Sequence, residues 1–472
     1  MSDAAHPPAR ASALFPNHAE RARLDDFLSR ELPRANARIA QGSVVPTFDL
    51  AAFKSDLAEF DFSAPRPLDE LLAWSIAQLE HGIVHMTHPR YFGLFNPAPT
   101  FPAECADRIV GAFNPQLATW TTAPAAVEIE AHVVKAVALR AGLPADAAGH
   151  CTSGGSEANC TALLCALTRA NPRFATEGTR AFTGAPVFYI SQDSHLAWLK
   201  IAHQTGIGRA AARLVPTDGR GRLDANALIS ALTADRARGS VPVMIVATAG
   251  TTNAGMIDPL ERCAEIAREA ALWYHVDAAW GGALIASETL RGALAGMEYA
   301  DSITIDAHKW FATTMGCGMY MTRHANVLSS VFHVSTTFMP SNIVNLDPYV
   351  TTAQWSRRFL GLRLFLSLAA AGWQGYSAHV EGSIALIAVL KEKLAARGWT
   401  IANDSQLAVL CVVPPSGCGK VRELVSRVTA SGRAWIAAAR LEGRDVIRVC
   451  LTHGEATPED ILDLVGSLSA GK

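Results

Sequence analysis

Residues 273–278 read Trp-Tyr-His-Val-Asp-Ala, a short and mostly apolar run that ends beside one carboxylate. Three similar runs lie along the chain: VFYI at 187–190, VMIVAT at 243–248 and SITID at 302–306. Helical patterns separate the four runs. Strands that alternate with helices predict βαβ units, and therefore an α/β protein with a mostly parallel central sheet sandwiched by helices. In such sheets the functional side chains gather at the carboxyl ends of the strands.

The sequence on either side of this region predicts three parts. Residues 1–93 carry helical repeats such as DELLAWSIAQLEHG and are expected to form a helical arm used in dimerisation. Residues 94–366 are expected to form the large domain. Two strand-like runs, QLAVLCVV at 406–413 and DVIRVCL at 445–451, are separated by helix and predict a small α/β domain over residues 367–472.

Composition argues against two classes of partner. With 41 basic and 43 acidic side chains among 472 residues, the chain has no excess positive charge for binding nucleic acid or an anionic membrane surface. The most apolar stretch, 359–373, is shorter than the roughly 20 residues of a spanning helix and contains Arg363. We therefore expect no nucleic-acid partner and no membrane partner.

Cysteine and charge content predict where the protein works and how it assembles. The nine cysteines form no CxxC pair, and an odd number argues against a complete set of disulfides. The N-terminal residues also lack the apolar core of a signal peptide. These features favour a reducing cytoplasm. Because only 18% of the residues are charged, we expect a large subunit interface and an oligomer.

A histidine cluster suggests a metal site, but a simpler explanation fits better. His81, His85 and His88 would share one face of a helix, as metal ligands can. Pro89 follows them at once, and no carboxylate flanks them in order. We interpret the cluster as ordinary residues at a helix end and expect no metal.

A glycine motif suggests a dinucleotide-binding loop. Gly206, Gly208 and Ala211 match the GxGxxA spacing of that loop. The loop must follow a strand and open a helix. Here a helical pattern precedes the glycines and the strand-like RLV at 213–215 follows them. The order of elements therefore argues against a nicotinamide-dependent oxidoreductase.

Three segments carry groups that fit one chemistry. The run from Ser153 to Ser156, Ser-Gly-Gly-Ser, opens a helix, where free backbone N–H groups and two hydroxyls can bind a phosphate. Asp277 ends an apolar strand, where a buried acid needs a cationic partner. Lys309 follows the run SITID beside Trp310, a setting that favours a nucleophilic amine. A phosphate cradle, an acid for a heterocycle and an amine for a Schiff base are the protein's contributions to pyridoxal 5′-phosphate (PLP) chemistry.

Motifs that fit this chemistry run through most of the chain: THPRYF (87–92), FPAECAD (101–107), SGGSEA (153–158), SHLAWLKIA (194–202), ATAGTTNAGMIDP (247–259), HVDAAWGG (275–282), IDAHKW (305–310), SRRF (356–359) and VIRV (446–449). From about Leu68 onward the sequence resembles the group II PLP-dependent amino acid decarboxylases, the family of aromatic-L-amino-acid and glutamate decarboxylases. HVDAAWGG and IDAHKW, in this order, are the most specific of the motifs. The resemblance implies the fold type I architecture of PLP-dependent transferases.

The resemblance implies a role in PLP binding for each matching residue. Lys309 would be the Schiff-base lysine, Asp277 the partner of the pyridinium nitrogen, and His195 the histidine stacked on the ring. Further contacts with the ring or the phosphate are implied for Ser153, Gly154, Gly155, Ser156, Thr248, Ala279, Asp306 and His308. Ser356 would reach the phosphate of a neighbouring subunit, so the resemblance implies a homodimer with its active site at the interface.

The resemblance also implies substrate contacts and a proton donor. Phe95, Gln116 and Arg448 are expected to contact the substrate, and Arg448 matches an arginine that pairs with the substrate carboxylate in glutamate decarboxylases. A structural ion pair in the small domain is an equal alternative for Arg448. Tyr349, in the long loop after residue 333, matches the tyrosine that protonates the substrate carbon, and Phe338 is the other aromatic candidate there.

These features predict decarboxylation of an L-amino acid to an amine and CO2. Gly93 and Leu94 replace the polar pair that follows THPRYF in glutamate decarboxylases, while Gln116 and Ala118 leave room and add an amide. An aromatic or mixed side chain is favoured, and acidic or diamino substrates stay open. The alternatives are a decarboxylation-dependent aldehyde synthase, another fold type I lyase or transferase, and an inactive family member that acts as a binding protein.

Overall fold

The main sheet has the predicted α/β layout. The computed structural model describes residues 14–336 and 347–469. In that part of the chain the sheet is formed by β1 (Ala148–Thr152), β2 (Pro186–Ser191), β3 (Ala212–Val215), β4 (Val241–Thr248), β5 (Trp273–Asp277), β6 (Ser302–Asp306) and β7 (Gly318–Thr322). The strand order is β1-β7-β6-β5-β4-β2-β3. Strands β2 to β6 run parallel, and β7 is antiparallel to both β1 and β6. The predicted mostly parallel sheet is confirmed.

Helices cover both faces of this sheet. The helices of the described residues are α1 (His18–Gln41), α2 (Leu50–Ala58), α3 (Leu68–Gly82), α4 (Phe101–Phe113), α5 (Pro124–Arg140), α6 (Gly155–Ala170), α7 (Phe174–Glu177), α8 (Ala197–Gln204), α9 (Ala225–Ala237), α10 (Leu260–Ala270), α11 (Ala325–Phe332), α12 (Gly361–Ala395), α13 (Val421–Ala430) and α14 (Pro458–Ser469). Helices α6, α8 and α11 pack with Met244 and Val246 of β4. Helices α5, α9, α10 and α12 belong to the core that contains Ile245 and Ala247. Successive residues of a strand point to opposite faces, so a strand covered on both sides is apolar throughout.

The N-terminal arm is helical, as predicted, and is joined to the rest of the chain. Helix α1 begins after Asn17, whose side chain accepts a hydrogen bond from the N–H of Glu20 and so caps the helix. Arg38 of α1 forms an ion pair with Glu80 of α3 at 2.7 Å. Beyond α1, the N–H of Val44 donates to the carbonyl oxygen of Gly432 at 2.8 Å.

A second, smaller sheet lies near the C-terminus. It consists of β8 (Thr400–Ile401), β9 (Val409–Val413), β10 (Ala437–Leu441) and β11 (Arg444–Cys450), in the order β10-β11-β9-β8. All of its strand pairs are antiparallel. With α13 and α14 it forms the small α/β unit that the sequence predicted. The backbone N–H of Cys450 donates to the carbonyl oxygen of Phe92, which ties the segment before the large domain to this sheet.

Helix α12 connects the two sheets and is bent. Its residue Gly372 has φ 63° and ψ 178°, so the helical path is broken there and resumes on the other side. A side chain at this φ would be strained, which explains the glycine. The predicted domain boundary at Leu366 falls within the first half of α12, and the boundary itself stays a prediction.

Candidate active site

Polar side chains from three neighbouring strands meet at the carboxyl edge of the main sheet. Strand β4 ends at Thr248, β5 at Asp277 and β6 at Asp306. In the sheet register Thr248 pairs with Asp277, and Asp277 pairs with Thr304. The register therefore brings a hydroxyl and two carboxylates to one edge of a sheet whose strands are otherwise apolar.

A cavity of about 370 Å³ opens at this edge. Twelve of the residues that the sequence predicted for the site line it: Phe95, Ser153, Gly154, Gly155, Ser156, His195, Thr248, Asp277, Ala279, Asp306, His308 and Lys309. They come from segments more than two hundred residues apart in the chain. The fold thus brings together the phosphate-type loop, the strand-end acid and the lysine.

Lys309 follows β6 and turns back toward the strand's last residue. Its backbone N–H donates to the carbonyl oxygen of Asp306, and its Nζ lies 2.9 Å from Asp306 Oδ2. Asp306 is buried, whereas the Lys309 side chain keeps about a quarter of its surface exposed, at 23%. The ion pair fixes the amine at the cavity wall while leaving it accessible.

The loop Ser153–Ser156 leads from β1 into α6. A Cβ atom on Gly155 would lie 2.8 Å from Asp306 Oδ2, so a side chain is excluded where the loop approaches β6. The N–H of Ser153 donates to Glu157 Oε2 at 2.7 Å, and Gln354 Nε2 donates to the same carboxylate. The start of a 16-residue helix offers backbone N–H groups to an anion in this cavity.

Asp277 is held by two donors. Asn159 Nδ2 donates to its Oδ2 at 2.8 Å, and the N–H of Ala279 donates to its Oδ1 at 3.2 Å. The side chain is buried at 5% exposure, and it faces the cavity. An ionised carboxylate can accept about four hydrogen bonds, so acceptor capacity remains for a group placed in the cavity.

His195 and Thr248 complete the wall next to Asp277. The Nδ1 atom of His195 accepts a hydrogen bond from the N–H of Ala197, which orients the ring at the start of α8. Desolvation by the surrounding protein lowers the pKa of His195, with Lys309 adding to the effect and Asp277 opposing it. Thr248 Oγ1 lies 2.8 Å from Ser194 Oγ, so a hydrogen bond fixes its hydroxyl.

An aromatic pair lines another part of the cavity. The rings of Phe95 and Trp280 are stacked with 4.0 Å between their centroids. Behind them, the Arg448 guanidinium lies 4.4 Å from the Phe95 centroid, and its Nη1 donates to the carbonyl oxygen of Gly93. Arg448 is buried, and within the described residues its Nε and Nη2 atoms have no hydrogen-bond partner.

Four predicted residues do not line the cavity of their own chain. Arg448 lies behind Phe95. Gln116 and Ser356 contact each other, with Gln116 Nε2 donating to Ser356 Oγ at 3.0 Å. Tyr349 lies in the short 3-10 turn Pro348–Val350, where its ring packs on Trp355 with 4.8 Å between centroids. Phe338 lies outside the described residues.

The sequence missed three residues that shape the site. Asn159 reaches Asp277 from α6, Glu157 anchors the loop at Ser153, and Trp280 supports Phe95. Glu157 and Asn159 belong to a helix whose pattern carries no sign of what it packs against. Trp280 belongs to the HVDAAWGG motif, and a large side chain next to two glycines was the available sign of a role at the site.

The two alternative motifs occupy other parts of the fold. Helix α3 ends at Gly82, and His81 Nδ1 lies 2.8 Å from the carbonyl oxygen of Ala77. No group of three or more His, Cys, Asp or Glu side chains in residues 14–336 and 347–469 is placed to hold a metal ion. The run after α8 leads into β3, so Gly206 and Gly208 precede a strand, as expected. No helix in the same residues is long and apolar enough to cross a membrane.

The cavity fits the cofactor that the sequence predicts. The helix start of α6 suits a phosphate, the carboxylate of Asp277 suits a protonated ring nitrogen, and the amine of Lys309 suits an aldehyde carbon. Glycine at position 155 lets the loop come this close to Asp306, because a Cβ atom there would lie 2.8 Å from Asp306 Oδ2.

Comparison with known proteins gives the same assignment. Residues 58–412 match the family model described as the pyridoxal-dependent decarboxylase conserved domain. An L-2,4-diaminobutyrate decarboxylase of Rhizobium meliloti (strain 1021) is 30% identical over 401 residues, which cover 82% of this chain and 79% of the relative. An aromatic-L-amino-acid decarboxylase of Bacillus atrophaeus is 27% identical over 415 residues, 85% of each chain.

A solved structure extends the match to nearly the whole fold. The crystal structure of mouse CSAD superposes with a TM-score of 0.90 at 26% identity, covering 97% of this chain and 99% of that chain. The family match, the relatives and the shared fold agree with the geometry of the cavity. The chain belongs to the pyridoxal-dependent decarboxylase family and is a PLP-dependent amino acid carboxy-lyase.

Proposed function

We propose that the cavity around Lys309 and Asp277 is the active site, where this decarboxylase removes the carboxyl group of an L-amino acid. The observation that carries the proposal is the convergence of Lys309, Asp277, His195 and the Ser153–Ser156 loop on one cavity of about 370 Å³. Catalytic groups and a ligand-sized space coincide there.

Each of these groups has a distinct task in the proposal. PLP supplies an electron-accepting ring that stabilises negative charge on the substrate carbon. Lys309 Nζ would hold the cofactor by a Schiff base to its aldehyde carbon. The carboxylate of Asp277 holds a proton at the ring nitrogen, because an anion at 5% exposure strongly favours a neighbouring cation. His195 and Ala279 line the same cavity and would contact the ring.

The remaining wall residues fix the ends of the cofactor. The phosphate would be held by the N–H groups at the start of α6, by the hydroxyls of Ser153 and Ser156, and by His308. The hydroxyl of Thr248, already held by Ser194, is positioned for the ring oxygen. Asp306 keeps Lys309 in place through their ion pair.

We further propose that the preferred substrate has a flat, apolar side chain. Phe95, Trp280 and Leu94 form an apolar part of the wall. Among the described residues that line the cavity, Lys309 is the one lysine or arginine, and Asp306 already pairs with it. A side-chain carboxylate would therefore lack a dedicated partner. The relatives act on diamino and aromatic substrates, so both classes belong in the test.

The test uses the purified protein supplied with PLP and a panel of L-amino acids. The panel contains aromatic, acidic and diamino substrates, and each is scored for CO2, amine, aldehyde and peroxide. We expect the highest kcat/KM for an aromatic substrate. A preference for an acidic or diamino substrate would overturn the substrate proposal, and no CO2 from any member would overturn the active-site proposal.

The attachment of the cofactor is tested separately. Borohydride reduction followed by peptide mass spectrometry should place PLP on Lys309. The Lys309→Ala variant is the matched control and should lose both the label and the visible absorption band. A label on another lysine would contradict the assignment.

We propose a homodimer that places Gln116 and Ser356 at the neighbouring active site. Helix α4, which leads to Gln116, exposes Phe101 and Phe113 at 69% and 81% of their surface. Large apolar side chains that are this exposed are typical of an interface. Gln116 and Ser356 bond to each other outside their own cavity. Light scattering should give twice the chain mass, and the double variant Phe101→Asp, Phe113→Asp should give monomers with reduced activity.

We also propose a cytoplasmic location. All nine cysteines lie in the described residues and are free thiols, as expected in a reducing compartment. Cell fractionation with an antibody against the native chain tests this proposal, and recovery outside the cytoplasmic fraction would contradict it.

A further inference from the structure

A chain of buried polar groups runs from Asp277 into the interior of the protein. Asn159 Nδ2 contacts Asp277 Oδ2 at 2.8 Å, and Asn159 Oδ1 contacts His275 Nε2 at 3.1 Å. On the far side of the imidazole, His275 Nδ1 contacts Ser302 Oγ at 2.8 Å, and Trp273 Nε1 donates to that oxygen at 2.8 Å. Each of these side chains is at most 5% exposed.

The chemistry of the two ends fixes the direction of these hydrogen bonds. The carboxylate of Asp277 accepts only, so the amide of Asn159 must turn its NH2 group toward it. The amide oxygen then faces His275, and Nε2 of the imidazole must carry the proton. In a neutral imidazole with its proton on Nε2, Nδ1 is an acceptor, so the Ser302 hydroxyl donates to it while accepting from Trp273, which can only donate. Every donor in the chain therefore points toward Asp277.

A neutral imidazole fits this arrangement. Burial lowers the pKa of His275 to about 4, although the nearby carboxylate of Asp277 acts in the opposite direction. These hydrogen bonds therefore point a donor at Asp277 without placing a second charge beside it. Asp277 is left with its negative charge for a partner in the cavity.

The secondary structure explains why these residues meet. His275 and Asp277 are two positions apart on β5 and point to the same face of the sheet. Ser302 pairs with His275 in the register of β6. Asn159 lies on α6, about one turn after the Ser153–Ser156 loop. One helix therefore carries both the phosphate-binding loop and the side chain that holds Asp277.

We propose that Asn159 and His275 are positioning residues that fix the carboxylate of Asp277 relative to the phosphate loop. The proposal rests on the proposed active site and deepens it: two points that hold the cofactor belong to one rigid unit, joined through Asn159. The unit keeps Asp277 oriented for the ring nitrogen before the cofactor binds. Pre-orientation of this kind lowers the cost of binding.

The test compares four variants by two readouts other than turnover. The readouts are the dissociation constant of PLP and the absorption spectrum of the bound cofactor, which responds to protonation of its ring nitrogen. Asn159→Ala should weaken PLP binding about tenfold and alter the spectrum, as expected for loss of a hydrogen bond to a charged group. Thr161→Val, a buried change on the same helix at a hydroxyl that donates to the carbonyl oxygen of Glu157, should match the wild type.

The histidine variants separate donation from simple packing. His275→Phe removes the Nε2 donor, whereas His275→Gln supplies an amide N–H at a similar place. We expect the phenylalanine variant to weaken PLP binding and the glutamine variant to restore most of it. Equal effects of the two variants would overturn the proposal, even if Asn159→Ala failed to fold.

The outcomes distinguish this inference from the proposed function. A wild-type protein with no cofactor band and no label on Lys309 would refute the active site itself. A normal wild type together with an Asn159→Ala variant of unchanged affinity and spectrum would refute only the positioning role.

Discussion

The Arg448 guanidinium lies 4.4 Å from the centroid of the Phe95 ring, so a buried cation backs the aromatic wall of the cavity. One of its nitrogens donates to Gly93, and two remain without a partner in the described residues. Burying an unpaired donor is costly, which suggests that these nitrogens have a partner in the working enzyme. The sequence predicts the substrate carboxylate as that partner; because the guanidinium lies behind Phe95 and outside the cavity wall, this contact requires the Phe95 ring to move aside.

Replacing Arg448 should therefore affect substrate binding more than cofactor binding. We expect Arg448→Met to raise KM about tenfold or more, because a hydrogen bond to a charged group is lost, and to leave the spectrum of bound PLP unchanged. Arg448→Lys keeps the charge but not the planar guanidinium, so its KM should lie between those of the wild type and Arg448→Met. An unchanged KM in Arg448→Met would assign the arginine to packing alone.

Tyr349 is predicted to decide between amine and aldehyde. The resemblance makes its hydroxyl the expected proton donor to the substrate carbon. We expect Tyr349→Phe to make less amine and more aldehyde and peroxide, measured together on one substrate. Tyr299→Phe, a change at an exposed tyrosine, is the control. The same product ratio in all three proteins would rule out this role.

Asp258 should give the protein a measurable pH dependence of stability. Its carboxyl accepts hydrogen bonds from the N–H groups of Thr248 and Leu223 at 2.7 Å, yet burial raises its pKa to about 7. The ordinary value is near 4, so between these pH values the folded chain binds a proton that the unfolded chain has lost. The contribution to the free energy of unfolding is thus full below pH 4 and is lost as pH rises through about 7.

Denaturant unfolding of the wild type and Asp258→Asn across pH 4 to 8 checks this expectation. The asparagine cannot titrate, so the wild type should lose free energy of unfolding relative to Asp258→Asn as pH rises. A difference that stays constant over this range would show that Asp258 keeps one protonation state.

The buried ion pair between Glu130 and Arg357 should be a major contributor to stability. The pair joins α5 to the start of α12, where Glu130 also accepts the N–H of Gly361 at 3.1 Å. Both side chains are 4% exposed. Arg357→Met should cost about 3–5 kcal/mol, because it leaves a buried carboxylate unpaired. Arg173→Met, which breaks an exposed pair with Glu177, should cost less than about 0.5 kcal/mol. Urea unfolding of both variants and the wild type measures the two costs.

The predictable part of the fold was the part with a strong local pattern. Strands β4, β5 and β6 coincide with apolar runs because both of their faces are buried. Strand β1 reads AGHCT, whose small and polar residues gave no strand pattern, and β7 reads GMYMT, whose apolar run is only three residues long. They are strands because each pairs along its full length with a neighbour, which is a tertiary effect.

The residues of the candidate site likewise divide into those with a local sequence signal and those without one. Asp277 and Lys309 stood out because a charge at the end of an apolar run is unusual. Asn159 could not be recognised, since its importance comes from the packing of α6 on β5 and from a carboxylate 118 positions away. Ser356, which was predicted to act across subunits, and Gln116, which was predicted to contact the substrate, depend on a second chain in the proposed dimer.

Helix α6 lies at the centre of the fold, against the strands that end at the cavity, and it carries the loop proposed to bind phosphate. A ligand that binds at such a helix stabilises the folded chain relative to the unfolded chain. PLP present at a hundredfold excess over its dissociation constant would add about 2.7 kcal/mol to the free energy of unfolding. Heat inactivation of this enzyme should therefore begin with cofactor release, and its shelf life should follow the concentration of free PLP.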